Sequence, residues 1–147
     1  MRTLAIDLGA RRIGLALSDA GGRLASAYDV LNVSNSEQAI ELVLPLLERE
    51  GVERIVLGLP LNMDDSIGPA ARSTIAWGNE LARRSGRPIV YVDERLSSFA
   101  AEQQLNERRR GGEKLTRGKK KQRLDAVAAA LFLQAFLDGR LPAIAIE

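Results

Sequence analysis

The chain has 147 residues, 46% of them hydrophobic, which suits one globular domain with a buried core. It contains no cysteine and no histidine, and this excludes disulfides, thiolate nucleophiles, imidazole bases and zinc sites built on those side chains. Its 21 Lys/Arg and 19 Asp/Glu residues leave a net charge of +2. No signal peptide is recognisable and no apolar run is long enough to span a membrane, so we expect a cytoplasmic location and no membrane partner.

The first half of the chain predicts three strands and one helix. Apolar residues dominate residues 3–7 and 13–18, and after a Gly-Gly turn residues 24–33 supply a third strand. Strands so closely spaced favour an antiparallel meander. Ser34 and Glu37 have the spacing of a capping box, which predicts a helix with Ser34 as its N-cap.

In the second half, predicted strands and helices alternate. The strands cover residues 54–58 and 88–93, and the helices cover residues 69–84, 97–107 and 119–137. Alternation of this kind is typical of parallel strands with helices packed on the sheet. Joined to the meander, it predicts an α/β fold with a mixed sheet in one domain, followed by a peripheral tail at residues 139–147.

Three carboxylates lie in or beside apolar segments, where an ionised group is costly. Asp7 ends the first strand, Glu94 follows the strand at residues 88–93, and Asp125 lies in the last helix. A buried carboxylate needs a compensating partner, and three that converge repel one another unless cations bridge them. The pattern indicates a site for hard metal ions and, through them, phosphate chemistry.

Taken alone, these acids have structural alternatives. Asp7 in Asp-x-Gly is also typical of a strand-to-turn cap. Asp93 and Glu94 are neighbours, and because side chains alternate along a strand only one of them points inward. We expect Asp93 to be the solvated one, paired with Arg95. Asp125 has the fewest structural explanations, because the helix around it is apolar on almost every side.

Two further segments carry polar side chains. The loop after the strand at residues 54–58 contains Asn62, Asp64 and Ser66, which either contact a substrate or form a turn. Residues 108–123 hold nine Lys/Arg and one acid. Such a run suits binding to a phosphate backbone, and a solvated loop is the alternative.

Four motifs, in this order and spacing, closely resemble the YqgF family of RNase H-like nucleases. They are Asp7-Leu8-Gly9 with Arg12-Ile13-Gly14, then Gly58-Leu59-Pro60-Leu61-Asn62-Met63-Asp64, then Asp93-Glu94-Arg95-Leu96-Ser97-Ser98, then Leu124-Asp125-Ala126-Val127-Ala128-Ala129. The resemblance covers residues 1–138, and the second and third motifs are the most specific. The chain departs from the pattern at Ser97-Ser98, where the family often has Thr-Thr, and at Asp65, where it often has Gly.

The resemblance implies an RNase H-like fold, with a five-stranded sheet in the order 3-2-1-4-5 whose first three strands are antiparallel. It implies that Asp7, Glu94 and Asp125 form the catalytic and metal-binding set. It also implies a nuclease that hydrolyses phosphodiester bonds in 5′-end processing of pre-16S rRNA, in ribosome biogenesis. The expected cofactors are two Mg²⁺ or Mn²⁺ ions about 4 Å apart on oxygen ligands. Asp7, on the central strand, is the expected bridging ligand.

Polar and basic side chains are expected to bind the nucleic acid, and they are Arg11, Arg12, Asn62, Arg95, Arg108, Arg109, Arg110, Lys114, Arg117, Lys119, Lys120, Lys121 and Arg123. Phosphate contacts of this kind position a substrate without reading its sequence. The expected partner is structured RNA, such as pre-rRNA, or branched DNA. The protein itself is expected to be a monomer or a weak homodimer.

Two other functions remain open. A Holliday-junction resolvase would use the same acids, but its two symmetric cuts require a dimer. A non-catalytic RNA-binding factor in transcription is the other alternative, although an aromatic content of 4% disfavours single-strand recognition by stacking. An actin-like kinase needs two such domains, for which 147 residues are too few.

Overall fold

The computed structural model describes residues 1–95 and 117–146, with side chains described for residues 1–95 and 125–146. In those ranges lie β1 (Thr3–Leu8), β2 (Arg12–Ser18), β3 (Ala25–Asn32), α1 (Ser36–Arg49), β4 (Arg54–Leu59), α2 (Pro69–Ser85), β5 (Ile89–Asp93) and α3 (Arg117–Leu137). These elements begin and end within two residues of the predicted bounds. The helix predicted at residues 97–107 lies outside the described residues.

The five strands form one sheet in the order β3-β2-β1-β4-β5. β2 pairs antiparallel with β1 and β3, whereas β4 pairs parallel with β1 and β5. The order and the strand directions confirm the RNase H-like fold that the resemblance implies. Since parallel strands end at the same edge of a sheet, the carboxyl ends of β1, β4 and β5 lie side by side. We call this the carboxyl edge.

The two faces of the sheet are packed differently. Large aliphatic side chains cover the face that packs against α1 and α2. The opposite face carries the smaller Ala5, Ala16, Val56 and Val92, which pack against Ala129, Phe132 and Leu133 of α3. Because side chains alternate along a strand, Asp7 lies on the same face as Ala5, and Glu94 continues the face of Val92. Both acids therefore lie on the face that α3 covers.

α3 approaches the sheet closely at Gly14 of β2, the residue that pairs with Asp7 of β1. A Cβ atom at Gly14 would overlap the backbone carbonyl group of Asp125. Any side chain there would push the helix backbone away from the sheet. Glycine at this position therefore lets α3 bring Asp125 close to β2, the strand that pairs with β1 at Asp7.

The N-cap of α1 differs from the prediction by one residue. Asn35, not Ser34, caps the helix, and its Oδ1 accepts a hydrogen bond from the Gln38 backbone N–H at 2.8 Å. The sequence contains two overlapping capping-box patterns, Ser34 with Glu37 and Asn35 with Gln38. Gln38 Oε1 accepts a hydrogen bond from the Ser34 backbone N–H at 2.6 Å, and Glu37 pairs with Arg84 of α2 at 2.8 Å.

The chain beyond α3 packs beside β5. The backbone N–H of Ile144 donates a hydrogen bond to the carbonyl oxygen of Tyr91 at 2.7 Å. Ile144 and Ile146 also pack against the core on the α1 and α2 face. Within the residues that the structure describes, none of the helices has the length and apolar character needed to cross a membrane.

Candidate active site

Asp7 and Glu94 meet at the carboxyl edge of the sheet. Asp7 lies in β1 and Glu94 directly follows β5, with β4 between the two strands. A hydrogen bond joins their side chains. β4 presents Gly58 at this point, where a Cβ atom would lie 2.7 Å from Glu94 Oε2. The missing side chain of Gly58 therefore leaves the space that the Glu94 carboxyl group fills.

Burial raises the pKa of both acids. Loss of hydration raises the pKa of Asp7 to about 6, an effect that the hydrogen bond with Glu94 opposes and the charge of Asp125 reinforces. Burial also raises the pKa of Glu94 to about 9, and the negative charge of Asp7 is the second cause. Both shifts have the same direction, because removal from water and mutual repulsion disfavour the state in which both acids are ionised.

One oxygen of this pair has no hydrogen-bond partner. Glu94 Oε2 is buried and unpaired within the part of the chain that the structure describes. An unsatisfied buried polar atom costs roughly 1–3 kcal/mol, so it calls for an explanation. A bound cation would supply the missing interaction and offset the repulsion between the two acids. The donors are carboxylate oxygens, which hard divalent cations such as Mg²⁺ prefer.

Asp125 reaches the same edge from α3. Arg12 Nε donates a hydrogen bond to Asp125 Oδ2 at 3.2 Å, and both side chains are about one-quarter exposed, at 26% and 28%. The charge of Asp125 raises the pKa of Asp7 and of Glu94, so all three acids interact electrostatically. Across residues 1–95 and 117–146, no three acidic side chains have the arrangement of a formed metal site. The metal-binding role of the set stays a prediction.

The opposite face of the same strand end carries a compensated cluster around Arg95. Arg95 Nη2 lies 2.7 Å from Asp93 Oδ2, and the guanidinium lowers the pKa of Asp93. Arg95 also forms an ion pair with Asp65 and donates a hydrogen bond to the carbonyl oxygen of Asn62. The expected pairing of Asp93 with Arg95 is confirmed. The nucleic-acid contact expected of Arg95 stays a prediction, since its guanidinium is already engaged within the protein.

The loop between β4 and α2, residues 60–68, is held by its own polar groups. The backbone N–H of Asn62 donates to the carbonyl oxygen of Ser66 at 3.0 Å, and Asn62 Nδ2 donates to Ser66 Oγ at 3.0 Å. Ser66 N–H donates to Asp64 Oδ1, also at 3.0 Å. Asp65 has a φ of 69°, a conformation that favours glycine. This conformation explains why the family that the sequence resembles often has Gly at position 65.

The other basic residues expected to bind nucleic acid fall into two groups. Arg11 is exposed, and both it and Arg12 line a cavity of about 430 Å³ that Gly9, Ala10 and Asp125 also line. The remaining ones lie outside the described side chains, and they are Arg108, Arg109, Arg110, Lys114, Arg117, Lys119, Lys120, Lys121 and Arg123.

Sequence reasoning assigned no role to Gly14 or Gly58, the points where α3 and Glu94 approach the sheet. The available signal was a glycine inside an apolar strand, which often marks the close approach of another group. The ion pair between Arg12 and Asp125 was also missed. The two residues lie 113 positions apart, and nothing local in the sequence indicates their contact.

Comparison with known proteins gives consistent matches over nearly the whole chain. The model of the RuvX family, described as Holliday junction resolvase, matches residues 1–139. A protein of Anaeromyxobacter sp. (strain Fw109-5) is 45% identical over 140 residues, covering 95% of this chain and 98% of that protein. A protein of Acidiphilium cryptum (strain JF-5) is 41% identical over 137 residues, covering 93% of this chain and 84% of that protein. Both carry the name "Putative pre-16S rRNA nuclease".

Solved structures show the same fold. RuvC of Thermus thermophilus in complex with a Holliday junction substrate matches with a TM-score of 0.61 at 18% identity, covering 98% of this chain and 100% of that chain. A second structure of Thermus thermophilus RuvC matches with a TM-score of 0.55 at 16% identity. These identities are too low to support more than the fold. Since the family model and relatives above 40% identity span the chain almost completely, it belongs to the RuvX family, the family also called YqgF.

Proposed function

We propose that this chain is a divalent-metal-dependent nuclease that hydrolyses phosphodiester bonds in RNA, in the 5′-end processing of pre-16S rRNA. The observation that carries the proposal is the pair Asp7 and Glu94, two partly buried carboxyl groups that lie together at the carboxyl edge and leave the buried atom Glu94 Oε2 without a partner among the described residues. The RNA substrate is inferred from the names of relatives that are 41% and 45% identical to this chain.

Asp7, Glu94 and Asp125 are the residues that would hold Mg²⁺ or Mn²⁺. Divalent ions bound there supply Lewis acidity, which lowers the pKa of an attacking water and offsets charge on the phosphate oxygens. Glu94 would bind such an ion as the carboxylate, and positive charge next to it favours that ionised form. Asp7, on β1 at the same edge, would supply further carboxylate oxygens.

The remaining side chains at the edge position the acids and the phosphate. Arg12 holds Asp125 through its Nε, which fixes the carboxylate that α3 brings to the sheet. Arg11 is exposed beside the same cavity, where its guanidinium is available to a phosphate group. Residues 108–123 add nine Lys/Arg close to Asp125 in sequence, and we propose that they bind the flanking phosphate backbone.

A cleavage assay on two substrates tests this proposal. Wild type, Asp7→Asn and Glu41→Gln are incubated with a pre-16S rRNA 5′ precursor and with four-way junction DNA, each with Mg²⁺ and with Mn²⁺. Glu41 is an exposed acid on α1 and serves as the charge-matched control. We expect wild type and Glu41→Gln to cut the RNA and Asp7→Asn to be inactive. Equal inactivity of all three on both substrates, with RNA binding retained, would instead support a non-catalytic RNA-binding factor.

A Holliday-junction resolvase is the second candidate. It is favoured by the description of the matching family model, Holliday junction resolvase. Symmetric cutting of a four-way junction requires two copies of the site. Cleavage of the junction but not of the RNA, together with a dimer mass in light scattering on junction DNA, would establish this candidate over the first.

A further inference from the structure

Met63 is the most exposed large hydrophobic side chain in the described ranges, with a relative exposure of 100%. Single exposed apolar residues are common on protein surfaces, so exposure alone indicates nothing. The position of Met63 is what distinguishes it. It follows Asn62, whose carbonyl oxygen accepts a hydrogen bond from Arg95, and Arg95 directly follows Glu94. The loop is also tied to the carboxyl edge at its start, where the carbonyl oxygen of Leu59 accepts a hydrogen bond from the Glu94 backbone N–H at 3.4 Å. Met63 therefore projects from a loop that begins at the edge on which Asp7 and Glu94 lie.

The loop presents Met63 on a fixed backbone. Asn62 and Ser66 are joined by two hydrogen bonds of 3.0 Å that bracket the tip. Asp65 N–H donates to the carbonyl oxygen of Asn62 at 2.9 Å, and the Asp65 carboxylate pairs with Arg95. The residues on both sides of Met63 are thus bonded within the protein, while its own side chain stays in solvent.

We infer that Met63 is a wedge that contacts an unstacked base of the nucleic acid next to the cleaved phosphate. The inference rests on the proposed function, because it places the substrate at the edge that holds Asp7 and Glu94. Methionine is one of the apolar side chains that proteins insert between base steps, and its polarizable sulfur suits the face of a base. Among the residues whose side chains the structure describes, Trp77, Tyr91 and Phe132 are buried, and Tyr28 and Phe136 are partly buried against the core.

A wedge defines the class of substrate. Unstacking a base is costly in a continuous duplex and least costly where the helix is already interrupted. Met63 therefore favours nucleic acid with an opened base beside the cut, such as a branch point or the boundary between a helix and a loop. A uniform duplex lacks such a base and is expected to bind more weakly.

The test measures base unstacking without cleavage. In an Asp7→Asn background, 2-aminopurine fluorescence is recorded on a hairpin RNA labelled at its helix–loop boundary and on four-way junction DNA labelled at the branch point. We expect the protein to raise the fluorescence of at least one probe. Met63→Ala should remove more than half of that rise and weaken binding about fivefold or more, whereas Met63→Leu should retain most of both.

Leu24→Ala is the matched control, because Leu24 is 67% exposed and lies in the turn between β2 and β3, at the opposite edge of the sheet. It should change neither fluorescence nor affinity. The inference is overturned if the protein raises the fluorescence of neither probe, or if Met63→Ala leaves the rise unchanged. It is also overturned if the melting temperature of Met63→Ala falls enough to explain its loss of binding. Failure of the nuclease proposal appears separately, in the cleavage assay of the wild type.

Discussion

Asp93 and Glu94 are neighbours in the chain, but their carboxyl groups lie in opposite electrostatic environments. Asp93 is on the face of α1 and α2, where the Arg95 guanidinium lowers its pKa. Glu94 is on the α3 face, where burial and the charge of Asp7 raise its pKa to about 9. One step along a strand end therefore separates a compensated carboxylate from an uncompensated one.

The difference is why we propose a structural role for one of the two regions and the chemistry for the other. In the cluster of Arg95, Asp93 and Asp65, both carboxylates pair with the same guanidinium, which fastens a loop to the end of β5. The pair of Asp7 and Glu94 keeps a buried oxygen without a partner, which lowers stability unless something binds. Such uncompensated groups are concentrated at functional sites, because catalysis and cation binding require them.

The largest expected effect separates the two acids by activity. Glu94→Gln removes a proposed metal ligand with little change of shape, so we expect cleavage to fall by about 10³-fold or more. Asp93→Asn makes the same chemical change one residue earlier, and we expect a loss of less than about tenfold, through loosening of Arg95. Single-turnover cleavage of the RNA precursor with Mg²⁺ measures both. Equal losses in the two variants would remove the distinction between the two faces.

The second effect concerns stability and its dependence on pH. The pKa of Asp7 is about 6 in the folded protein, above its ordinary value of 3.8, so folding favours the protonated form. The contribution of Asp7 to stability therefore falls as pH rises from about 4 to about 6, and this cost persists above that range. Asp7→Asn cannot ionise, so without divalent cations it should be about 1–3 kcal/mol more stable than wild type at pH 8 and no more stable near pH 4.

Asp93→Asn is the control of opposite sign. The pKa of Asp93 is lowered by Arg95, so its ionised form stabilises the fold above the ordinary carboxyl range, and this contribution disappears as pH falls. The variant should be less stable than wild type at pH 8 and similar to it at acid pH. Urea unfolding in EDTA at both pH values measures the two variants side by side. If Asp7→Asn is less stable than wild type at pH 8, the ionised Asp7 carboxylate is stabilised by its surroundings, and the prediction is wrong.

The sequence predicts most of the fold because the signals are local or repeated. Alternating strands and helices indicated the parallel pairing, and side-chain alternation at Asp93 and Glu94 indicated which acid points inward. The strand order came from the resemblance to a known family, not from periodicity. The apolar segments around Asp7, Glu94 and Asp125 were sufficient to single out these three acids from the sequence.

The features that the sequence did not predict depend on contacts between distant parts of the chain. The requirement for Gly14 comes from the path of α3, and the partner of Asp125 comes from β2. The left-handed backbone of Asp65 depends on how the loop closes on β5. No window of neighbouring residues contains that information, so these features follow from the three-dimensional structure alone.

The smallest expected effect concerns the compensated cluster itself, at Asp65. Its φ of 69° costs a non-glycine residue about 1 kcal/mol, and its ion pair with Arg95 contributes at most about 1 kcal/mol because the Asp65 side chain is 80% exposed. Asp65→Gly relieves the strain and loses the pair, so its stability should be close to that of wild type. Asp65→Ala loses the pair and keeps the strain, so it should be about 1 kcal/mol less stable than Asp65→Gly.

Urea unfolding at low and high salt separates the two contributions. At about 1 M NaCl the pair between Asp65 and Arg95 is largely screened, so Asp65→Gly should become more stable than wild type while its advantage over Asp65→Ala stays the same. Equal stability of the glycine and alanine variants would mean that the backbone at residue 65 is unstrained. If Asp65→Gly instead lost more stability than Asp65→Ala, the loop would depend on the restricted backbone freedom of a non-glycine residue at position 65. The stiffness of the backbone, and not the ion pair with Arg95, would then hold Met63 in place.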